Sequence, residues 1–128
     1  MTNNTTTNKK SVLLAEAESH VREAVRLMIQ FQENLEVMGE VSTAESLLIQ
    51  VCRQTPDIIL LDWNLPSIHH QRLLIAVKEC CPNAVIIATS MRPESKNAAL
   101  EMGADAFVLK NLPPEEFISA ILEAASEK

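Results

Sequence analysis

The chain has 128 residues, enough for one domain that hides roughly two-thirds of its unfolded surface and too few for two. Hydrophobic residues make up 47% but aromatics only 3%, so aliphatic side chains must fill the core. A net charge of −6 repels a phosphate backbone, which argues against direct nucleic-acid contact by this domain and favours basic protein surfaces as partners.

The opening residues MTNNTTTNKK are polar, with no apolar stretch behind their charges. They do not form a signal peptide, and residues 1–10 are expected to be a disordered leader to a single domain over 11–128. Val12-Leu13-Leu14-Ala15 is a brief continuous apolar run, the mark of a strand buried on both faces. Val21, Val25 and Met28 then recur at helical spacing, with Ala24 and Leu27 alongside. Residues 36–40 (EVMGE) read as an edge strand. Ala44, Leu47, Leu48 and Val51 form a second helix stripe, opened by Ser42 or Thr43 as N-cap and stopped before Pro56.

Ile58-Ile59-Leu60-Leu61 is a third strand ending in Asp62. Leu73, Leu74 and Val77 mark a third helix that stops near Pro82. Ala84 to Ala88 is a fourth strand, ending in Thr89-Ser90. Pro93 suits the first turn of a helix that runs to Met102, with Gly103 just past its end. Ala106 to Leu109 is a fifth strand ending in Lys110, and Pro114 opens a last helix carrying Phe117, Ile118, Ile121 and Leu122. Buried strands alternating with amphipathic helices predict an α/β fold, (βα)5, with a five-stranded parallel sheet and helices on both faces.

Ligands of such sheets sit at the carboxyl ends of the strands. Those ends carry Glu16, Asp62, Thr89 and Lys110. A carboxylate on a strand-to-loop turn can attack phosphorus and form an acyl phosphate. The incoming oxygens need Mg²⁺ and a fixed cation to neutralise them, and a hydroxyl can bond the group once it has transferred. Asp62, Lys110 and Thr89 supply the nucleophile, the cation and the hydroxyl.

The stretches VLLAEAESHVRE, PDIILLDWNLP, VIIATS and GADAFVLKNLPPEEF resemble the receiver domain of two-component response regulators over nearly the whole chain from Val12. The resemblance implies a flavodoxin-like fold and phosphorylation of an aspartate by a partner histidine kinase or phosphotransfer protein. It makes Asp62 the phospho-acceptor and Thr89 the switch hydroxyl. Lys110 becomes the phosphoryl-contacting lysine and Phe107 the switch aromatic. Glu16, Asp62 and the backbone carbonyl of Asn64 are the implied metal ligands for a weakly held Mg²⁺. Output is expected through a downstream protein effector, with a homodimer through the last helix and strand face as a further expectation. The ending KNLPPEEF resembles the branch that usually carries a C-terminal helix-turn-helix.

Two departures stand out. Family members usually place two adjacent acids after the first strand, and here they read Glu16-Ala17, so one carboxylate is replaced by a methyl group. Either a water or Glu18 fills that role, or Glu18 simply serves the helix N-terminus, where its charge is favourable. The alternative function is therefore a pseudo-receiver, an interaction module independent of phosphorylation. In the second departure, Ser67-Ile68 leads to His69-His70, with His70 in place of a customary glycine. Adjacent histidines do not face the same way on a helix, so a solvated loop is expected there rather than a zinc site.

Trp63 is expected to be partly exposed beside the site, and Met91 and Met102 to serve packing. An aspartyl phosphatase of the haloacid-dehalogenase type would need an acid two residues after its nucleophile. Asn64 stands there and cannot exchange protons. No enzymatic activity is expected. Three cysteines, Cys52, Cys80 and Cys81, form no CxxC pair and are expected to be reduced thiols of a cytoplasmic protein. No apolar run reaches the ~20 residues of a membrane span.

Overall fold

The computed structural model describes residues 9–66 and 69–127. Five strands and five helices alternate strictly: β1 (Lys10–Ala15), α1 (Ser19–Gln30), β2 (Leu35–Val41), α2 (Ala44–Arg53), β3 (Ile58–Asp62), α3 (His70–Cys80), β4 (Val85–Ser90), α4 (Ser95–Glu101), β5 (Ala106–Leu109) and α5 (Pro114–Ser126). The strands form one sheet in the order β2-β1-β3-β4-β5, and every neighbouring pair is parallel. This is the expected flavodoxin-like architecture. The chain reverses its direction of travel across the sheet between β1 and β3. Glu16, which follows β1, and Asp62, which ends β3, therefore flank the crevice where such folds bind ligands.

Side-chain alternation along the strands divides the core in two. Leu13, Ile59, Leu61 and Ile86 pack with Leu47, Val51, Leu74 and Val77 on the α2–α3 side. Val12, Leu14, Ile58, Leu60 and Ile87 pack with Ile29, Phe117 and Ile121 on the α1–α5 side. Each fully buried aliphatic side chain contributes about 1.5–3 kcal/mol. The β1–β2 pairing carries one bulge: Val12 pairs with Val37, but Leu13 pairs with Gly39. A side chain at Gly39 would bring its Cβ within 3.3 Å of Leu13 Cδ1, so the bulge and the glycine go together.

The helix ends follow local chemistry. Thr43, not Ser42, caps α2 through a 3.0 Å bond from the Ser46 N–H. Gly103, at φ +121°, ends α4: its N–H reaches the Leu100 carbonyl at 3.2 Å, and the Ala104 N–H reaches Ala99 at 3.0 Å. These are the two bonds of a Schellman motif. Pro114 takes the first position of α5.

Several expectations need correction. Lys10 belongs to β1 and not to a leader; the rest of the expected leader, residues 1–8, lies outside the described residues, as does Ser67-Ile68. Helix α4 starts at Ser95, because Pro93 sits in a turn closed by the Lys96 N–H on its carbonyl at 3.2 Å. Met91 and Met102 are exposed and pack little. Trp63 is only 6% exposed, covered by the His70 ring.

Candidate functional site

Strand β3 is buried along its whole length, so its last residue is carried to the sheet edge still buried: Asp62 is 3% exposed. Glu16 follows β1 directly and is 7% exposed. Strand β5 delivers Lys110 between them. Its Nζ lies 2.8 Å from Glu16 Oε1 and 2.9 Å from Asp62 Oδ1. Two carboxylates thus share one ammonium in a largely desolvated cleft, leaving a local charge of −1 when all three are ionised.

The backbone completes the site. Asp62 Oδ1 also accepts the Asn64 N–H at 2.9 Å, while Oδ2 receives only a long 3.5 Å contact from the Ala17 N–H. Glu16 Oε2 accepts the Glu18 N–H at 3.1 Å. The surroundings push the two carboxyls apart. Burial raises both, but for Asp62 the Lys110 hydrogen bond, the Asn64 N–H and the Lys110 charge outweigh it and hold the carboxyl below its usual range. For Glu16, burial, reinforced by the Asp62 charge, prevails over Lys110 and raises the carboxyl. Asp62 stays ionised, and Glu16 takes up a proton first.

Thr89 pairs with Asp62 in the β3–β4 register, and its hydroxyl makes a long 3.4 Å bond to the Leu61 carbonyl. Phe107 lies opposite Ala88 on β5, half-buried against the α2–α3 core. Glu18 does not face the cleft with a free oxygen. It caps α1, accepting the His20 N–H at 3.1 Å and the Val21 N–H at 3.0 Å, and those two bonds lower its carboxyl. The helix-terminal reading of Glu18 is the one the geometry supports.

Two neighbours escaped the sequence reading. Arg22 donates from Nη1 to the Glu16 carbonyl at 2.7 Å and lies 3.5 Å from Glu40, so it ties the turn after β1 to strand β2. The signal was an arginine near the start of a helix, where the dipole favours acids. His70 was expected in a solvated loop, yet it opens α3, stacks on Trp63 with centroids 3.9 Å apart, and bonds the Trp63 carbonyl through Nε2 at 2.6 Å. A histidine at the first position of a helix beside a buried indole has a partner within reach; the pattern of neighbours in sequence did not show it.

The Glu16 and Asp62 carboxylates offer hard oxygen donors, which suit Mg²⁺ completed by water, and Asn64 lines the same pocket. No cluster of three or more His, Cys, Asp or Glu side chains occurs among the described residues, consistent with a methyl group at Ala17. The donor set fits the ion, with one carboxylate fewer than a three-acid site. No helix among the described residues is long and apolar enough to cross a membrane.

Known proteins match this chain in sequence and fold. The family model for the response regulator receiver domain covers residues 12–122. The nitrate/nitrite response regulator NarL of Escherichia coli is 30% identical over 118 residues, spanning 91% of this chain and 55% of NarL. The transcriptional regulatory protein YxjL of Bacillus subtilis is 31% identical over 120 residues, with 92% and 55% covered. The chain thus spans about half the length of these relatives. Among solved structures, a LuxR-family response regulator from Aurantimonas superposes with a TM-score of 0.84 at 25% identity, over 94% of this chain and 87% of that one. The receiver domain of NarL from Mycobacterium tuberculosis superposes with a TM-score of 0.85 at 24% identity, over 95% and 100%, and shares the fold. Fold and family model agree, and the chain belongs to the response regulator receiver domain family of two-component signalling.

Proposed function

We propose that this domain accepts a phosphoryl group on Asp62 and signals by a conformational change. The observation that carries the reading is the Lys110 ammonium, 2.9 Å from Asp62 Oδ1 and shared with Glu16. It keeps Asp62 ionised, as a nucleophile must be, and it remains in place to neutralise the oxygens that arrive. Oδ1 is held by Lys110 and Asn64, whereas the backbone gives Oδ2 one long contact from Ala17, so Oδ2 is the less engaged oxygen and the better placed to attack. In the transfer an Oδ2–P bond forms as the P–N bond to a partner's phosphohistidine breaks; the ring nitrogen keeps the electron pair of that bond, and the imidazole leaves neutral because its other nitrogen already carries a proton. Mg²⁺, when bound at Glu16, Asp62 and the Asn64 carbonyl, supplies further charge neutralisation.

Thr89 is the switch. Its long bond to the Leu61 carbonyl is readily exchanged for a phosphoryl oxygen, and the movement is passed to β5, where Phe107 packs beside Ala88. Partners under this reading are a histidine kinase or phosphotransfer protein upstream and a protein effector downstream. The face of α5 and β5 is the proposed place for self-association, and the acidic domain itself stays off nucleic acid.

Intact mass after incubation with a small phosphodonor, with and without Mg²⁺, tests the reading. One phosphoryl group on the wild type and none on Asp62→Asn is the expected result. If neither takes one up at high Mg²⁺ while Ala17→Asp does, Ala17 has disabled the site, and the domain works as an interaction module.

A further inference from the structure

We propose that Cys52 and Cys80 form a thiol–disulfide exchange site, closing to a reversible bond that staples α2 to α3. The two sulfurs, 28 positions apart in sequence, stand 2.7 Å from one another where α2 packs on α3. That is inside the van der Waals contact of two thiols, so no atom separates them. Cys52 is exposed and Cys80 partly so, which gives a small reagent a route to the pair. Cys81 takes no part: it is turned into the core, with its thiol on the Val77 carbonyl at 3.2 Å.

The co-reactant is a low-molecular-weight disulfide. Cys52, the exposed sulfur, loses its proton and attacks one sulfur of that disulfide; the S–S bond breaks and one small thiol leaves with the proton. Cys80 then attacks Cys52 Sγ within the mixed disulfide. A protein S–S bond forms, the second small thiol leaves, and two protein thiols have been oxidised for one disulfide reduced. The Cys80 thiol is pushed up to about 11, chiefly by its hydrogen bond with Cys52. Capping Cys52 removes that bond, so Cys80 becomes easier to ionise at the moment it is needed. A dithiol reductant reverses both steps.

The closed bond would enclose β3, Asp62 and all but the last residue of α3 in one loop, constraining the segment that carries the candidate acceptor. The inference needs only the two sulfurs, and stands whether or not Asp62 accepts a phosphoryl group.

The test is incubation of the native protein with oxidised glutathione, followed by counting free thiols in denaturant, intact mass and peptide mapping. The expected result is a fall from three free thiols to one, with a mass lower by two hydrogens. A Cys52–Cys80 peptide pair should be found, together with a rise in Tm on the order of 10 °C that reduction abolishes. Cys81→Ser should still close. Cys52→Ser, a change at an exposed position, should keep both remaining thiols. Three titratable thiols, a glutathione adduct that persists on Cys52, a linkage through Cys81 or a dimer between chains would each overturn the assignment.

Discussion

Ala17 meets Asp62 through its backbone: its N–H lies 3.5 Å from Oδ2, and its methyl group packs against the core. The position that ordinarily brings a second carboxylate to a receiver site therefore brings a weak donor. The negative charge of the cleft falls by one, and a single lysine offsets one of the two carboxylates that remain. The expected consequence is a site more settled without metal than a three-acid site would be, and less attractive to Mg²⁺.

Ala17→Asp is expected to raise Mg²⁺ affinity by at least about 10-fold, since even outer-shell changes alter affinity by that much. Without metal the variant should melt below the wild type, because a third carboxylate joins a cleft with one ammonium. Added Mg²⁺ should reverse the order, as a ligand at free concentration L that binds only the folded state stabilises it by RT ln(1 + L/Kd), more for the tighter site. Melting curves across a Mg²⁺ series check both halves. An unchanged Mg²⁺ response would mean that residue 17 does not face the ion.

The two cleft carboxyls should give opposite pH signatures. Asp62 lies below its usual range in the fold, so its ionised form contributes stability that is present above the ordinary carboxylate range and lost as the pH falls through the lower folded value. Glu16 lies above its ordinary value of 4.5, so its contribution is present below that value and lost as the pH rises through the folded one. Glu16→Gln fixes the neutral form and should be at least as stable as the wild type at pH 7, with the advantage gone below pH 4.5. Asp62→Asn should be less stable at pH 7, and its deficit should shrink in acid. Urea midpoints at the two pH values measure this; the same sign for both variants would refute the assignment of the proton to Glu16.

How much of this was legible depended on range. Periodicity placed all five strands and five helices, because buried β-branched runs and i, i+4 stripes are local patterns. The convergence of Glu16, Asp62, Thr89 and Lys110 followed from topology, since a parallel sheet carries every strand end to one edge. Contacts set by side-chain reach stayed hidden. Arg22 folding back onto the Glu16 carbonyl, His70 covering Trp63, and Cys52 meeting Cys80 all join residues that share no helix or strand, so no repeat within one element pairs them. Trp63 was misjudged for that reason: the residue that buries it lies across a turn.

Gly103→Ala should destabilise the domain by about 1–3 kcal/mol. The cost is conformational, because an added Cβ would come no closer than 3.4 Å to Lys78 Nζ, while φ at this position is +121°. Gly39→Ala offers the contrast: its backbone is ordinary, but the Cβ would press on Leu13 Cδ1 at 3.3 Å. A methyl shift can relieve Gly39→Ala, so it should cost the less of the two. Chemical denaturation of both orders them, and a larger loss at Gly39 would contradict the backbone argument.

His70→Ala should unseal Trp63. The imidazole gives the indole a stacking partner, worth about 0.5–1.5 kcal/mol beyond burial, and bonds the Trp63 carbonyl at 2.6 Å. Removing it should cost about 1–2 kcal/mol in all and shift the emission of the chain's single tryptophan to longer wavelength as water reaches the ring. The effect should extend to the site, because Trp63 joins Asp62 to Asn64, whose N–H holds Asp62 Oδ1. Weaker Mg²⁺ binding in His70→Ala, with His70→Phe restoring the emission through stacking but not the carbonyl bond, would show which of the two contacts sets the turn. Unchanged emission in His70→Ala would mean that the core alone buries the indole.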